Sequence, residues 1–207
     1  MTYWTIPPMW AGRTVAVLAS GPSMSQAVAD AVKHLPRIAV NNTYQLAPDA
    51  EIIYASDAAW WKANPEALKC PGLKVSVNAR RGVRHPLTPA AVHTLDHAGR
   101  HGFDSRPSHL VTMNNSGGAA IHVAVHARAA RILLLGFDMH GGHWHPQHQK
   151  PLGNPGVALQ RKWVDLIGEF ARAVRGQVEI VNCTPGSALR CFPMASLDQA
   201  LDERAAA

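Results

Sequence analysis

The stretch Thr14-Val-Ala-Val-Leu-Ala-Ser-Gly-Pro-Ser-Met-Ser25 decides the fold. Its apolar, β-branched run stops at a small-residue turn, Ser20-Gly21-Pro22-Ser23, and Met24, Ala27, Val28, Ala31 and Leu35 then recur at helical spacing. The pattern predicts a buried strand over about 14–19 and a helix over about 23–34, capped by Ser23 or Ser25 and stopped by Pro36. A strand that enters a helix through so tight a turn is expected to leave backbone N–H groups free at the helix start. Together with the helix dipole, they suit a phosphate or another anion.

Working outward, the same alternation continues along the chain. Further strands are predicted at Ile38–Val40, Glu51–Ser56, Leu73–Val77, His109–Met113, Arg131–Leu135 and Val178–Val181. Helices are predicted from Ala58 to near Pro65, through Ala119–Ala127, from Gly156 to Arg175 with Trp163, Leu166, Ile167, Phe170 and Val174 on one face, and after Pro193. The tandem Trp60-Trp61 reads as packing, and residues 1–13 as an arm on the sheet. From Asn78 to Pro107 the pattern breaks down, with one short helical piece expected near Thr88–Leu95; an irregular stretch of this length is expected to act as a lid or substrate loop. Strands alternating with helices mean βαβ units, so the fold class is α/β: a single-domain, Rossmann-like, doubly wound and mainly parallel sheet over residues 1–207. Two excursions interrupt it, the lid-like insertion at about 78–107 and a His-rich loop at about 139–155.

Composition narrows the classes of function. The chain has 207 residues, 47% of them hydrophobic, and lacks an apolar run near the roughly 20 residues needed to span a bilayer. Its first residues do not show the basic-then-apolar layout of a signal peptide, and a cytoplasmic location is expected. Cys70, Cys183 and Cys191 are too few and too scattered for a disulfide framework or a CxxC zinc site, and read as reduced and structural. A net charge of +6 and a pI near 9.6 favour anionic partners: nucleotides, sugar phosphates or nucleic acid. The basic residues are dispersed, with one cluster at Arg80, Arg81 and Arg84, so nucleic acid receives little support. A homo-oligomer is expected.

In an open parallel sheet, ligands bind beyond the carboxyl ends of the strands. That edge should gather the turn Ser20-Gly21-Pro22-Ser23, Asn41 and Asn42, Asp57, the second turn Asn114-Asn115-Ser116-Gly117-Gly118, Asp138 and the loop His140-Gly-Gly-His143-Trp-His145-Pro-Gln-His148. Asn115 or Ser116 can cap the helix that follows. The first turn is neither GxGxxG nor GxxxxGK[ST], which disfavours a dinucleotide oxidoreductase or a Walker-type kinase. A histidine of the loop is a candidate general base, with His143, His145 and His148 unranked. His140, His143 and His145 could instead hold zinc. Asp138 is placed to bind Mg²⁺ or a sugar hydroxyl, or simply to cap the turn after it. His122 and His126 share the i, i+4 spacing of zinc ligands, but the Glu of HExxH is missing and their neighbours are apolar.

Ala19-Ser-Gly-Pro-Ser-Met24, Val40-Asn-Asn-Thr-Tyr44, Asn115-Ser-Gly-Gly118, Ile132-Leu-Leu-Leu-Gly-Phe-Asp138 and Asn182-Cys-Thr-Pro-Gly-Ser-Ala-Leu189, in this order, resemble the bacterial family 42 sialyltransferases and the related MptE-like (DUF115) proteins. The resemblance spans about residues 14–189. It implies a Rossmann-like transferase that binds CMP-sialic acid without metal and uses a histidine base. It sets Ser20, Gly21 and Ser23 against the donor phosphate or ribose, Asn41 or Asn42 at the nucleotide, and Ser116 and Gly117 at the donor. The base would come from the loop after Asp138. Two departures stand out: Ser20 replaces an Asn of the family, and no tyrosine follows Tyr54 to fill the place of the pair that assists the departing phosphate.

The expected function is thus a glycosyltransferase using a nucleotide sugar, with no tightly bound cofactor and an unknown acceptor. The MptE-like branch implies an alternative, an ATP- and Mg²⁺-dependent diphosphokinase in which Asp57 and Asp138 hold the metal. A non-catalytic nucleotide- or nucleic-acid-binding module is the third reading.

Overall fold

The computed structural model describes residues 3–78, 82–83, 85–150 and 152–202. The basic cluster Arg80, Arg81 and Arg84 lies outside them. Eight strands form one sheet: β1 (Thr14–Leu18), β2 (Arg37–Val40), β3 (Ile52–Tyr54), β4 (Leu73–Val77), β5 (His93–Gly99), β6 (His109–Val111), β7 (Arg131–Leu135) and β8 (Glu179–Asn182). Their order is β6-β5-β4-β3-β2-β1-β7-β8, and every strand pairing is parallel. The chain therefore walks outward from β1 to β6, returns to the other flank of β1 as β7, and ends on β8. That reversal beside β1 is the switch point at which α/β sheets open a crevice.

Period-2 alternation assigns the two faces. Val15, Val17, Ile132 and Leu134 pack beneath α3 (Ser116–His126) and α4 (Val157–Ala173), with Ile6 and Trp10 of the N-terminal arm in the same cluster. Ala16, Leu18, Leu133 and Leu135 face the opposite layer, which holds α1 (Gln26–Ala31), α2 (Ala58–Ala63) and α5 (Leu197–Asp202). Trp60 and Trp61 are buried in that second layer, as packing residues.

Two sequence expectations are corrected. The first helix spans only Gln26–Ala31: Ser25, not Ser23, caps it by accepting from Val28 N at 3.3 Å. Beyond Ala31 the chain tightens into i→i+3 turns, with Lys33 N on Asp30 O and Leu35 N on Val32 O, before Pro36. The helical piece expected near Thr88–Leu95 is instead the entry to β5, which pairs with β4 on one side and β6 on the other. The stretch between β4 and β6 thus carries a strand of the sheet rather than being irregular throughout. Between β7 and α4, by contrast, the described residues of the histidine loop form no helix or strand. None of the helices among the described residues is long and apolar enough to cross a membrane.

Candidate functional site

A cleft of about 480 Å³ opens along the carboxyl edge of the sheet. The exits of β1 through β7 all reach it, and α4 and the histidine loop close its far wall. Of the residues singled out from the sequence, Ser20, Gly21, Asn41, Asp57, Asn115, Ser116, Gly117, His140, His143 and His148 line it. Pro22, Ser23, Asn42, Asp138 and His145 do not.

The reason is clearest at the first turn. Its amides are not free: Gly21 N donates to the Gly136 carbonyl at 2.9 Å, and Ser23 N donates to Asp138 Oδ1 at 3.2 Å. Ser23 Oγ completes a fork by donating to Asp138 Oδ2 at 2.9 Å. The Asp138 carboxylate is buried and committed to this turn. Ser20 Oγ donates to Val40 O at 3.0 Å and sits 3.0 Å from Thr43 Oγ1, so it ties the β1 exit to the β2 exit. Asn42 Oδ1 accepts from Trp60 Nε1 at 2.7 Å, and Asp57 caps α2 by accepting from Ala59 N at 2.8 Å. Ser20, Ser23, Asn42, Asp57 and Asp138 are spent on bracing the turns around the cleft, and of them only Ser20 and Asp57 also line it.

At the second turn the amides stay available. Asn115 caps α3 by accepting from Gly118 N at 2.8 Å, which leaves the N–H groups of Ser116 and Gly117 without an intrahelical acceptor at the start of an eleven-residue helix. Ser116 Oγ accepts from Ser56 N at 3.3 Å. A Cβ on Gly117 would stand 2.9 Å from Asn115 Oδ1 and 3.0 Å from the Phe137 ring, so glycine lets the helix start press against β7. Of the two strand–turn–helix units, the second is the one able to receive an anion.

Backbone strain collects at the same edge. Asn41, Asn114 and Met139, all lining the cleft, hold φ of 49°, 54° and 57°, and Met113 beside them holds 50°. Such left-handed residues cost free energy and cluster at functional sites.

In the histidine loop, His143 Nδ1 lies 3.2 Å from the Ser20 carbonyl. A carbonyl only accepts, so Nδ1 carries a proton, and in the neutral ring the lone pair is on Nε2. His143 stacks on His145 with ring centroids 4.8 Å apart, and His148 packs edge-on at 5.2 Å. Burial pushes His145 down to about 4, and burial and His143 lower His148 as well. His140 is separate, its Nε2 donating to the Gly186 carbonyl at 3.2 Å. Trp144 anchors the loop through Nε1 on Thr43 Oγ1 at 3.2 Å. Among the described residues, no three His, Cys, Asp or Glu side chains are grouped to hold a metal ion.

His122 and His126 lie inside the fold. His122 Nδ1 accepts from Val111 N at 3.1 Å, and its Nε2 donates to Asp104 O at 3.0 Å. The i, i+4 pair is a stacked element of the core. Cys70, Cys183 and Cys191 form no disulfide.

Sequence reading missed Asn78, His97, Arg100, Thr112, Gln160 and Trp163, which also line the cleft. His97 lies on β5, the strand that the sequence hid, and Arg100 directly follows it. Gln160 and Trp163 sit three residues apart on α4, a spacing that puts them on one helix face.

No protein-family model matches the sequence, and no curated protein matches it significantly. The structure is similar to that of the MAf glycosyltransferase from Magnetospirillum magneticum AMB-1, with a TM-score of 0.56 at 13% identity. The likeness is one of fold. It covers 99% of this chain and 38% of that one, so the chain spans well under half the length of the glycosyltransferase it matches.

Proposed function

We propose that the cleft binds a nucleotide sugar and transfers its glycosyl group to an acceptor hydroxyl, with His143 as general base. The observation that carries this reading is the pairing, in one cleft, of a histidine whose tautomer is fixed by Ser20 O with a helix start that has amides to spare. His143 Nε2 would take the proton of the acceptor hydroxyl as its oxygen attacks the anomeric carbon. The bond from that carbon to the phosphate oxygen breaks, and the charge that develops on the phosphate is met by the N–H groups of Ser116 and Gly117. No tyrosine follows Tyr54, so these amides take the leaving-group role that tyrosines fill in the family 42 pattern. The motif resemblance favours a CMP-linked donor, and the glycosyltransferase-like fold agrees with sugar transfer.

The test is a panel of CMP-, UDP- and GDP-sugars, read by calorimetry and by donor hydrolysis or transfer. His143→Ala is expected to lower turnover by about 10²- to 10⁴-fold while donor affinity stays near that of the parent. Absence of binding by every nucleotide sugar, or full turnover in His143→Ala, would sink the reading. Release of AMP from ATP in the presence of Mg²⁺ and an alcohol would support the diphosphokinase alternative instead.

A further inference from the structure

Buried polar atoms without partners are uncommon in folded proteins, and each calls for an explanation. Among the described residues, two such atoms belong to side chains that line the cleft: Asn78 Oδ1 and Trp163 Nε1. They come from different walls, Asn78 from the exit of β4 and Trp163 from α4.

The orientation of the Asn78 amide follows from its neighbour. Asp96, on β5, accepts from Gly82 N at 2.7 Å, from His97 N at 3.0 Å and from Asn78 Nδ2 at 3.3 Å, all at Oδ1. Burial alone would raise this carboxyl, but those hydrogen bonds hold it below its ordinary range, so it is ionised and can only accept. The Asn78 NH₂ therefore faces Asp96 and the carbonyl oxygen is left over. The residue is 1% exposed, and this oxygen has no hydrogen-bond partner. On α4, Gln160 Nε2 donates to Gly141 O at 2.9 Å and fixes the helix against the histidine loop, while the Trp163 indole N–H one turn further on has no acceptor.

We infer that Asn78 and Trp163 form a hydroxyl-binding subsite in the cleft, which takes the glycosyl part of the ligand. A hydroxyl is both donor and acceptor, so a polyol can donate to Asn78 Oδ1 and accept from Trp163 Nε1, whereas a phosphate, which only accepts, cannot serve Asn78. The subsite is thus chemically distinct from the anion-binding start of α3. It rests on the nucleotide-sugar reading only for the identity of the polyol.

Two measurements test it. In the first, the affinity of a nucleotide sugar is compared with that of its free nucleotide by calorimetry, for the parent protein, Trp163→Phe and Asn78→Leu. Trp163→Phe keeps an aromatic ring and so remains informative if Asn78→Leu fails to fold. The ratio of the two affinities is expected to fall about tenfold in each variant, the worth of one good hydrogen bond. In the second, the Trp163 indole N–H resonance, assigned by its absence in Trp163→Phe, is followed while free galactose, N-acetylglucosamine or N-acetylneuraminic acid is added. A shift with a free sugar supports the subsite even if no nucleotide of any kind binds, in which case the nucleotide-sugar reading alone fails. An unchanged affinity ratio in both variants, or an indole resonance that no sugar and no nucleotide sugar moves, overturns the subsite.

Discussion

At Gly21 an added methyl group would stand 2.0 Å from Asp138 Oδ2 and 2.4 Å from the Gly136 carbonyl oxygen. The second contact is backbone and cannot swing aside, so Gly21→Ala must break the turn or displace β7. Overpacking of this kind is expected to cost about 3 kcal/mol, read as a fall in the urea midpoint; a variant within 0.5 kcal/mol of the parent, a change of roughly the size expected for a neutral surface substitution, would contradict the packing described. The residue chemistry of this turn was half legible. Ser20-Gly21-Pro22-Ser23 announced a tight strand-to-helix turn. Its use of Asp138 as a fixed partner depends on a contact 115 residues away in the chain, which no local pattern encodes. From spacing alone Asp138 reads equally as a ligand for metal or sugar. Its geometry makes it the brace of the first turn.

Among elements, α3 and β5 show opposite degrees of legibility. α3 was readable because its cap, its small-residue turn and its apolar run are contiguous. Asn115→Ala removes the cap bond to Gly118 N and is expected to cost about 1 kcal/mol in urea unfolding, with the loss confined to stability and anion binding. A stability equal to that of the parent would show that another group caps the helix. β5 was hidden because its middle residue is a buried aspartate, Asp96, flanked by His93, Thr94 and His97. Such a sequence has no apolar alternation to detect. It becomes a strand because β4 and β6 supply ladders on both sides and the Gly82, Asn78 and His97 donors satisfy the carboxylate. The cleft residues that follow from it, His97 and Arg100, were lost from the sequence reading with it, whereas Asn78 stands at the exit of β4, a strand the sequence did show.

For the whole molecule, acid should act through the core rather than the surface. Burial lowers His122 to about 3 and His126 to about 4, so both are neutral in the folded protein near pH 6. In the unfolded chain each takes up a proton near pH 6.5. Below that pH the unfolded state binds more protons, so the contribution of each histidine is complete above pH 6.5 and is lost as the pH falls toward 4, at up to about 1.4 kcal/mol per pH unit. Urea unfolding at pH 7, 6 and 5 is expected to show this slope, and His126→Gln to reduce it. A flat profile over that window would contradict the buried, neutral pair. The doubly wound architecture itself was legible from the alternation of strands and helices and the turn chemistry between them. The side on which each strand joins the sheet was not, because it is decided by crossovers rather than by local pattern.

The seat of β1 between β2 and β7 bears on how the protein is made. An all-parallel sheet contains no hairpin between neighbouring strands, so each pairing waits for a crossover to be completed. As the chain emerges from the ribosome, β1 acquires β2 early, but its other flank has no partner until Arg131–Leu135 has been synthesised. Through that interval a strand that is buried along its whole length in the finished fold presents an open row of N–H and C=O groups, the kind of edge that recruits other chains. A strand that is interior in the finished sheet is therefore an edge for much of the time that the chain is being made.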